Sequence, residues 1–462
     1  MRHLLPVLAL LLLAACPRAP EELTPPPVDP PVPEQPSGLQ GSLTVHLRDW
    51  NLVPKEFLQS AYVLLGDGSR FRQAVDDNGD VHFQDAAIVG SQDVTVVLTM
   101  KSETPTVLVG SFLAIGQPEV WLPVVDSLET TEPPPDPGPK LATVSGKVTG
   151  MSGAAEHFVY VIAAGQGLSG GGPVASDGSF RFNVLGAEPG QVDLIAWEEK
   201  FDPEYGTYGD VLVRAGRVRG IALARDQVLG GLELALDHAA DQSLGVTVKG
   251  AEHYGSPATV TLRFHEDTLG FFTSYAKGTS PLSVPTLAMT PPFDTTRRLL
   301  STSLGRSEVL PAGYAYALNP IDNGPAATLT LLSPMTSSSP ALGACASPPT
   351  TPLAGLGLRW SVDAAANVGQ LDFLLQEPAG PGAGFSWRVL APSSRTSFTP
   401  FPLPSEVSPL STFPPGLYSL KLQSSFRGDV EGYASAFAQH VSKPSYLVES
   451  RRTELTGCFT LQ

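Results

Sequence analysis

The sequence predicts an all-β protein: serial β-sandwich domains joined by Pro-rich linkers. Three observations lead there. Gly and Pro number 45 each among 462 residues, a density of helix breakers that favours short strands joined by turns. Charged residues make up 16% and hydrophobic residues 42%; the first figure is below the roughly 25% of a typical soluble domain, and the second is enough for ordinary cores. Much of the chain alternates apolar and polar residues with the period of a half-buried strand. The length allows three or four domains at roughly 100–200 residues each. A net charge of −16 without a long basic run argues against nucleic-acid binding, which depends on neutralising phosphates.

The chain opens with a short basic stretch, Met1-Arg2-His3, and a ten-residue apolar run, Leu4 to Leu13, too short to span a bilayer, which needs about twenty residues. The run ends in Leu13-Ala14-Ala15-Cys16. This resembles the lipobox of bacterial lipoproteins. The resemblance implies a signal peptide over 1–15, cleavage before Cys16, and acylation of the Cys16 thiol and the new amine. Several chains on one residue anchor firmly where one alone binds marginally. An ordinary secretory peptide with a chance cysteine is the alternative. Pro17, rather than an aspartate, follows the cysteine, which favours the outer membrane or cell surface over the inner membrane. Nine prolines in the 22 residues from Pro17 to Gly38 favour extended polyproline II. At about 3.1 Å per residue the stalk reaches about 70 Å. A proline-rich partner motif is the other reading of this tract.

A first sandwich is expected over 39–128. Leu43, Val45 and Leu47 alternate with polar neighbours, Val94-Thr95-Val96-Val97-Leu98 is strongly β-prone, and Asp77-Asn78-Gly79-Asp80 signals a hairpin turn. A Pro-rich linker, 129–140, separates it from a second unit, 141–240. Tyr160 answers Tyr62 at a spacing of 98, and Asp177-Gly178-Ser179-Phe180-Arg181-Phe182 answers Asn78-Gly79-Asp80-Val81-His82-Phe83 at 99, which argues for tandem copies of one fold. The order of G-x-V strand, aromatic strand and D-G-x-F-x-F segment resembles the carboxypeptidase regulatory-like (transthyretin-like) sandwich. That resemblance implies an accessory module without catalytic residues.

Residues 241–332 read as a β-rich domain of uncertain type, and 333–355 as a Ser/Pro linker. In 356–462, Trp360 on an early strand, the runs Leu371–Leu375 and Phe385–Leu390, and Pro415-Gly416-Leu417-Tyr418 on a late strand resemble the fibronectin type III sandwich. In that family the Trp packs the core and the Tyr sits on a late strand. Once Cys16 is lipidated, Cys345 and Cys458 remain as an even pair in an oxidising compartment and are expected to bond. Closing 113 residues stabilises by roughly 4–5 kcal/mol in the chain-entropy account.

Candidate chemistry is sparse. Gly167-Leu168-Ser169-Gly170-Gly171 fits G-x-S-x-G, but a turn hairpin follows where that motif needs a helix. Ser274-Tyr275-Ala276-Lys277 fits S-x-x-K, but strand-like residues precede it. Asp76 to Asp80 invites a calcium reading, against which a plain turn is the simpler account. No His or Cys spacing forms a zinc site, and no cofactor is expected. The loop after Trp197, from Glu198 to Asp210, holds Phe201, Tyr205 and Tyr208 among five carboxylates. Trp197, Tyr205 and Tyr208 are therefore candidate ligand contacts, since aromatics in a polar loop can stack on sugars; inward packing of Trp197 is the bland alternative. The function expected is a membrane-anchored envelope lipoprotein acting as a non-enzymatic binding or spacer module, with an envelope glycan or another surface protein as partner. An envelope hydrolase with its catalytic centre in 241–350 is the rival.

Overall fold

The structure is a computed structural model that describes residues 38–101, 106–124, 138–201, 210–255, 257–266, 269–305, 312–375, 384–411, 413–430, 432–437 and 448–462. Cys16, the stalk and most of the 129–140 linker lie outside the described residues. Apart from short 3-10 turns, every regular element among the described residues is a strand, as composition and alternation predict.

The first sandwich contains β1 (Leu39–Arg48), β2 (Leu58–Leu65), β3 (Phe71–Ala74), β4 (Asp80–Gly90), β5 (Gln92–Met100), β6 (Thr106–Ile115) and β7 (Glu119–Pro123). β1 runs antiparallel to β4 and parallel to β7 in a three-stranded sheet, β4-β1-β7. The facing strands run β3-β2-β5-β6. Leu43, Val45 and Phe83 from one sheet meet Val63, Val94 and Val96 from the other, the alternation read from the sequence. The Asp77–Asp80 turn, expected to close a hairpin, instead carries the chain from β3 in one sheet to β4 in the other. Gly79 takes φ +90, and a Cβ there would lie 2.6 Å from Cγ of Trp50, so only glycine fits this turn.

The second unit has β8 (Lys140–Thr149), β9 (His157–Gly165), β10 (Leu168–Pro173), β11 (Ser179–Leu185), β12 (Gly190–Phe201), β13 (Asp210–Leu223) and β14 (Gln227–Ala235), with a short β15 (His238–Ala239) on the edge. The order recurs. β8 is antiparallel to β11 and parallel to β14, and β10-β9-β12-β13 are neighbours in turn. The turn recurs as well. The Gly79 N–H donates to the Asp76 carbonyl and the Asp76 N–H to that of Asp80; the Gly178 N–H donates to Ala175 and the Ala175 N–H to Ser179. In this copy β10 also pairs with β11, so the two sheets merge into one of eight strands.

The third region, of uncertain type in the sequence, has the same order again. Its strands are β16 (Gln242–Lys249), β17 (Ala258–Glu266), β18 (Leu269–Gly278), β19 (Leu282–Thr286), β20 (Arg297–Leu304), β21 (Ala312–Ile321) and β22 (Ala326–Thr330). β16 lies antiparallel to β19 and parallel to β22, and the other strands run β18-β17-β20-β21. The chain thus carries three tandem copies of one strand order, where the sequence motifs reveal two.

The last sandwich has β23 (Ser337–Ser339), β24 (Thr350–Thr351), β25 (Leu358–Trp360), β26 (Val368–Leu375), β27 (Phe385–Pro392), β28 (Ser397–Phe398), β29 (Gly416–Arg427) and β30 (Ser450–Leu461). One sheet is β23-β25-β28; the other runs β30-β29-β26-β27, with β24 parallel to β30. Two of these strands lie in the Ser/Pro stretch expected to be a linker. Its Met335 is buried in the last core, and Cys345 is bonded to Cys458 across a Cα–Cα distance of 4.9 Å. The Tyr418 hydroxyl donates to the Pro414 carbonyl at 2.8 Å, closing the corner that leads into β29.

Three of the four sandwiches share one sheet. β6 of the first copy pairs in parallel with β27, and β21 of the third pairs antiparallel with β30, giving a thirteen-stranded sheet. The outer face of the first copy's β2, β5 and β6 is consequently core: Leu64, Val97, Val107, Val109 and Leu113 pack with Trp387 and Phe385. A buried relay crosses the same boundary, with the Trp387 indole N–H donating to Ser111 Oγ at 2.9 Å and Ser111 Oγ 2.8 Å from Thr95 Oγ1.

Candidate functional site

The β12–β13 arms carry the loop that the sequence singles out. Alternation along β12 sends Leu194 and Ala196 into the second copy's core and Ile195 and Trp197 to the opposite face. That opposite face packs on the third copy. Trp197 is 9% exposed, with Phe271 and Phe272 at centroid distances of 6.4 and 6.3 Å and Tyr160 at 5.7 Å. Its indole N–H donates to Glu199 Oε2 at 3.1 Å. Trp197 is therefore a packing residue at the junction of two sandwiches, not the ligand contact it was a candidate for, because the third copy occupies the face it presents. Tyr205 and Tyr208 lie outside the described residues. Further along the same outer face, Phe158 and Phe201 are 50% and 38% exposed, leaving aromatic surface at this end of the sheet.

Glu198, the first acid of the loop, points the other way and is closed off, its side chain 1% exposed. It accepts from the Ser152 N–H at 3.1 Å and from the Ser152 hydroxyl. His157 Nδ1 lies 2.8 Å away and Arg214 Nε 3.1 Å away. Burial pushes its carboxyl up, but hydrogen bonds from Ser152 and His157 and the Arg214 charge outweigh burial and hold it below the usual range. Ser152, His157 and Glu198 are the three residue types of a nucleophilic triad, so their geometry decides what they can do. A triad needs the imidazole between the other two, one ring nitrogen for each. Here both Ser152 Oγ and Glu198 Oε1 meet the same atom, His157 Nδ1, at 2.8 Å, and the serine hydroxyl is spent on the carboxylate. A depressed carboxyl is also a poor base. The cluster is a clamp that ties the β8–β9 loop to β12. The charged pair Glu198-Glu199 closing an apolar run was the one sequence sign of it.

The hydrolase motifs are not assembled. Ser169 lies within β10, opposite Ala164 and Leu185, without the strand–turn–helix that exposes a nucleophile. Ser274 is fully buried in β18, and its hydroxyl has no partner among the described residues. Lys277, three residues on, is exposed, since residues an odd number apart leave a strand on opposite faces. Asp76 is a turn anchor, its Oδ1 accepting from the N–H groups of Asn78 and Asp80 at 2.9 and 2.8 Å. Among the described residues no group of three or more His, Cys, Asp or Glu is placed to hold a metal ion, and no helix is long and apolar enough to cross a membrane.

No family model matches the chain, and no curated protein matches it. Solved structures that match include a leucine-rich repeat protein from Bacteroides thetaiotaomicron at 12% identity, covering 42% of this chain and 26% of that one, with a TM-score of 0.16. Two B repeat units of the collagen binding protein of Staphylococcus aureus match at 9% identity over 77% of this chain and 86% of theirs, TM-score 0.14. A Streptococcal ancillary pilin matches at 6% over 63% and 98%, TM-score 0.13. The chain spans about a quarter of the length of the leucine-rich repeat protein. Likenesses this distant carry no argument about what the chain binds or does.

Proposed function

We propose that this chain is a cell-envelope lipoprotein that presents a rigid array of β-sandwiches for binding or spacing and performs no catalysis. The observation that carries this reading is the thirteen-stranded sheet, in which the first copy, the third copy and the last sandwich are joined by backbone hydrogen bonds. Domains fused in this way hold binding surfaces at fixed separations, as a spacer or display scaffold requires. The threefold strand order supports the transthyretin-like reading of the copies, and the Tyr418 corner supports the fibronectin type III-like reading of the last sandwich. Cys16 supplies the lipid anchor, at the outer membrane or cell surface. Tyr205 and Tyr208 remain candidates for contact with an envelope glycan or another surface protein.

The test of non-catalysis is a screen of the whole mature chain against ester, glycoside and peptide substrates, alongside a glycan and surface-protein array. Binding without turnover is expected. Turnover abolished by Ser152→Ala or Ser274→Ala would overturn the reading. Anchoring is tested separately: the wild type should partition into the detergent phase of Triton X-114 extracts, and Cys16→Ser into the aqueous phase. Tyr205→Ala with Tyr208→Ala should weaken any partner that the loop holds.

A further inference from the structure

The solvent faces of the three-stranded sheets differ between copies, although the strand order is the same. Across each sheet, at the residue of the central strand just before Leu47, Val148 or Val248, runs a row of residues in register. In the second copy the row is Ser179–Lys147–Glu233, and in the third Thr247 beside Thr328 holds the matching place. In the first copy it is Asp80–His46–Trp121. Trp121 alone among the five tryptophans is not buried. Its indole stacks on the His46 imidazole at 4.5 Å with an interplanar angle of 18°. His46 is itself pinned, Nδ1 at 2.7 Å from Asp80 Oδ1 and Nε2 at 3.1 Å from Glu119 Oε1.

We propose that this row is a binding platform for a neutral, β-linked polysaccharide with equatorial hydroxyls. The proposal rests on the non-catalytic binding reading above and names a ligand class for it. A pyranose with equatorial hydroxyls presents flat C–H faces, which complement a partly exposed indole held at a fixed angle. Around that ring the protein leaves hydrogen-bonding capacity unused. Asp80 and Glu119 each turn one carboxylate oxygen toward His46, and neither the second oxygens nor the Trp121 N–H has a protein partner among the described residues. Two acceptors and a donor flanking an aromatic face suit vicinal hydroxyls. Because the indole–imidazole stack is already formed, little freedom of the Trp121 ring is lost on binding. The two carboxylates and the net charge of −16 select against acidic polymers.

The test is affinity electrophoresis of the whole mature chain in gels containing hydroxyethylcellulose, with carboxymethylcellulose as the acidic counterpart. Retardation by the neutral polymer is expected, with weaker retardation by the acidic one. Trp121→Ala should weaken binding about tenfold or more, as loss of a central aromatic anchor does. Trp121→Phe should retain part of it, and Glu119→Ala should lose several-fold. In solution, succinimide should quench a fraction of the tryptophan emission that is absent from Trp121→Ala, and hydroxyethylcellulose should protect that fraction. No retardation by the neutral polymer, equal retardation by both polymers, or binding unchanged in Trp121→Ala or Glu119→Ala would overturn the platform. Release of reducing ends would overturn the non-catalytic reading instead, so the two failures are told apart.

Discussion

Glu198 is a carboxylate removed from water and surrounded by donors from Ser152, His157 and Arg214. A buried charge is tolerated only under such conditions. Its carboxyl titrates lower in the folded protein than in the unfolded chain, whose value is near 4.3. Its contribution to stability is therefore complete above that pH and is lost as the pH falls through the folded value. Protection of the Ser152 and Ala154 amides, relative to their intrinsic exchange at each pH, should be high at neutral pH and fall as the pH drops through the folded value of Glu198. Glu198→Gln should lower that protection at neutral pH and remove its pH dependence, at a stability cost on the order of 2 kcal/mol. Gly79 offers a second test at this scale. Gly79→Ala meets both a left-handed φ and the Trp50 ring, whereas Gly66→Ala meets φ +61 with open space around the new methyl. Thermal melts should show the larger loss at Gly79, about 1–3 kcal/mol.

Arg217 shows how neighbouring elements are joined. It stands on β13 with its side chain 2% exposed. It reaches Asp193 in its own copy and Glu266 and Thr296 in the third, the last two at 2.9 and 3.0 Å. Arg217→Ala strands two carboxylates beside a sealed apolar junction. The loss should be on the order of 3 kcal/mol, measurable by urea unfolding, and Trp197 emission should shift red as the junction opens. The disulfide works on the last sandwich in a similar way. Cys345 belongs to the segment holding β23 and β24, Cys458 to β30, and the backbone groups of Gly343 and Cys458 bond to each other at 2.9 Å in both directions. Cys345→Ser with Cys458→Ser should cost about 2–5 kcal/mol. Intact mass after alkylation of the unreduced protein should show neither thiol modified in the wild type.

At the scale of the molecule, the shared sheet makes the parts interdependent. The first copy by itself would expose Val97, Val107, Val109 and Leu113, all buried against the last sandwich. An isolated 38–124 fragment should accordingly be insoluble or oligomeric, as expected for an uncovered apolar face. For the same reason calorimetry of the whole chain should not resolve separate transitions for the first copy and the last sandwich. Two clearly separated melts would mean that these domains are strung together rather than fused.

The sequence by itself determined the all-β class, because alternation and turn chemistry are local. Leu43, Val45 and Leu47 face the core, and the turns at Gly79 and Gly178 require glycine wherever the rest of the chain lies. It also pointed to the tandem copies and to the pairing of Cys345 with Cys458. Other features depended on contacts between distant residues. The third copy lacks the D-G-x-F turn, so its strand order is visible only in the pairing of β16 with β19 and β22. Residues 333–355 read as a linker by composition, and β24 counts as part of a sandwich only because β30, a hundred residues later, lies beside it. The run Val94-Thr95-Val96-Val97-Leu98 did hold a hint of the fusion, since apolar residues on both faces of a strand signal burial on both. Nothing local said what would cover the second face. Likewise, Trp197 and Trp121 are both aromatic residues within two positions of a carboxylate in sequence. Tertiary packing alone made the first a buried wedge between sandwiches and left the second partly exposed on a sheet face.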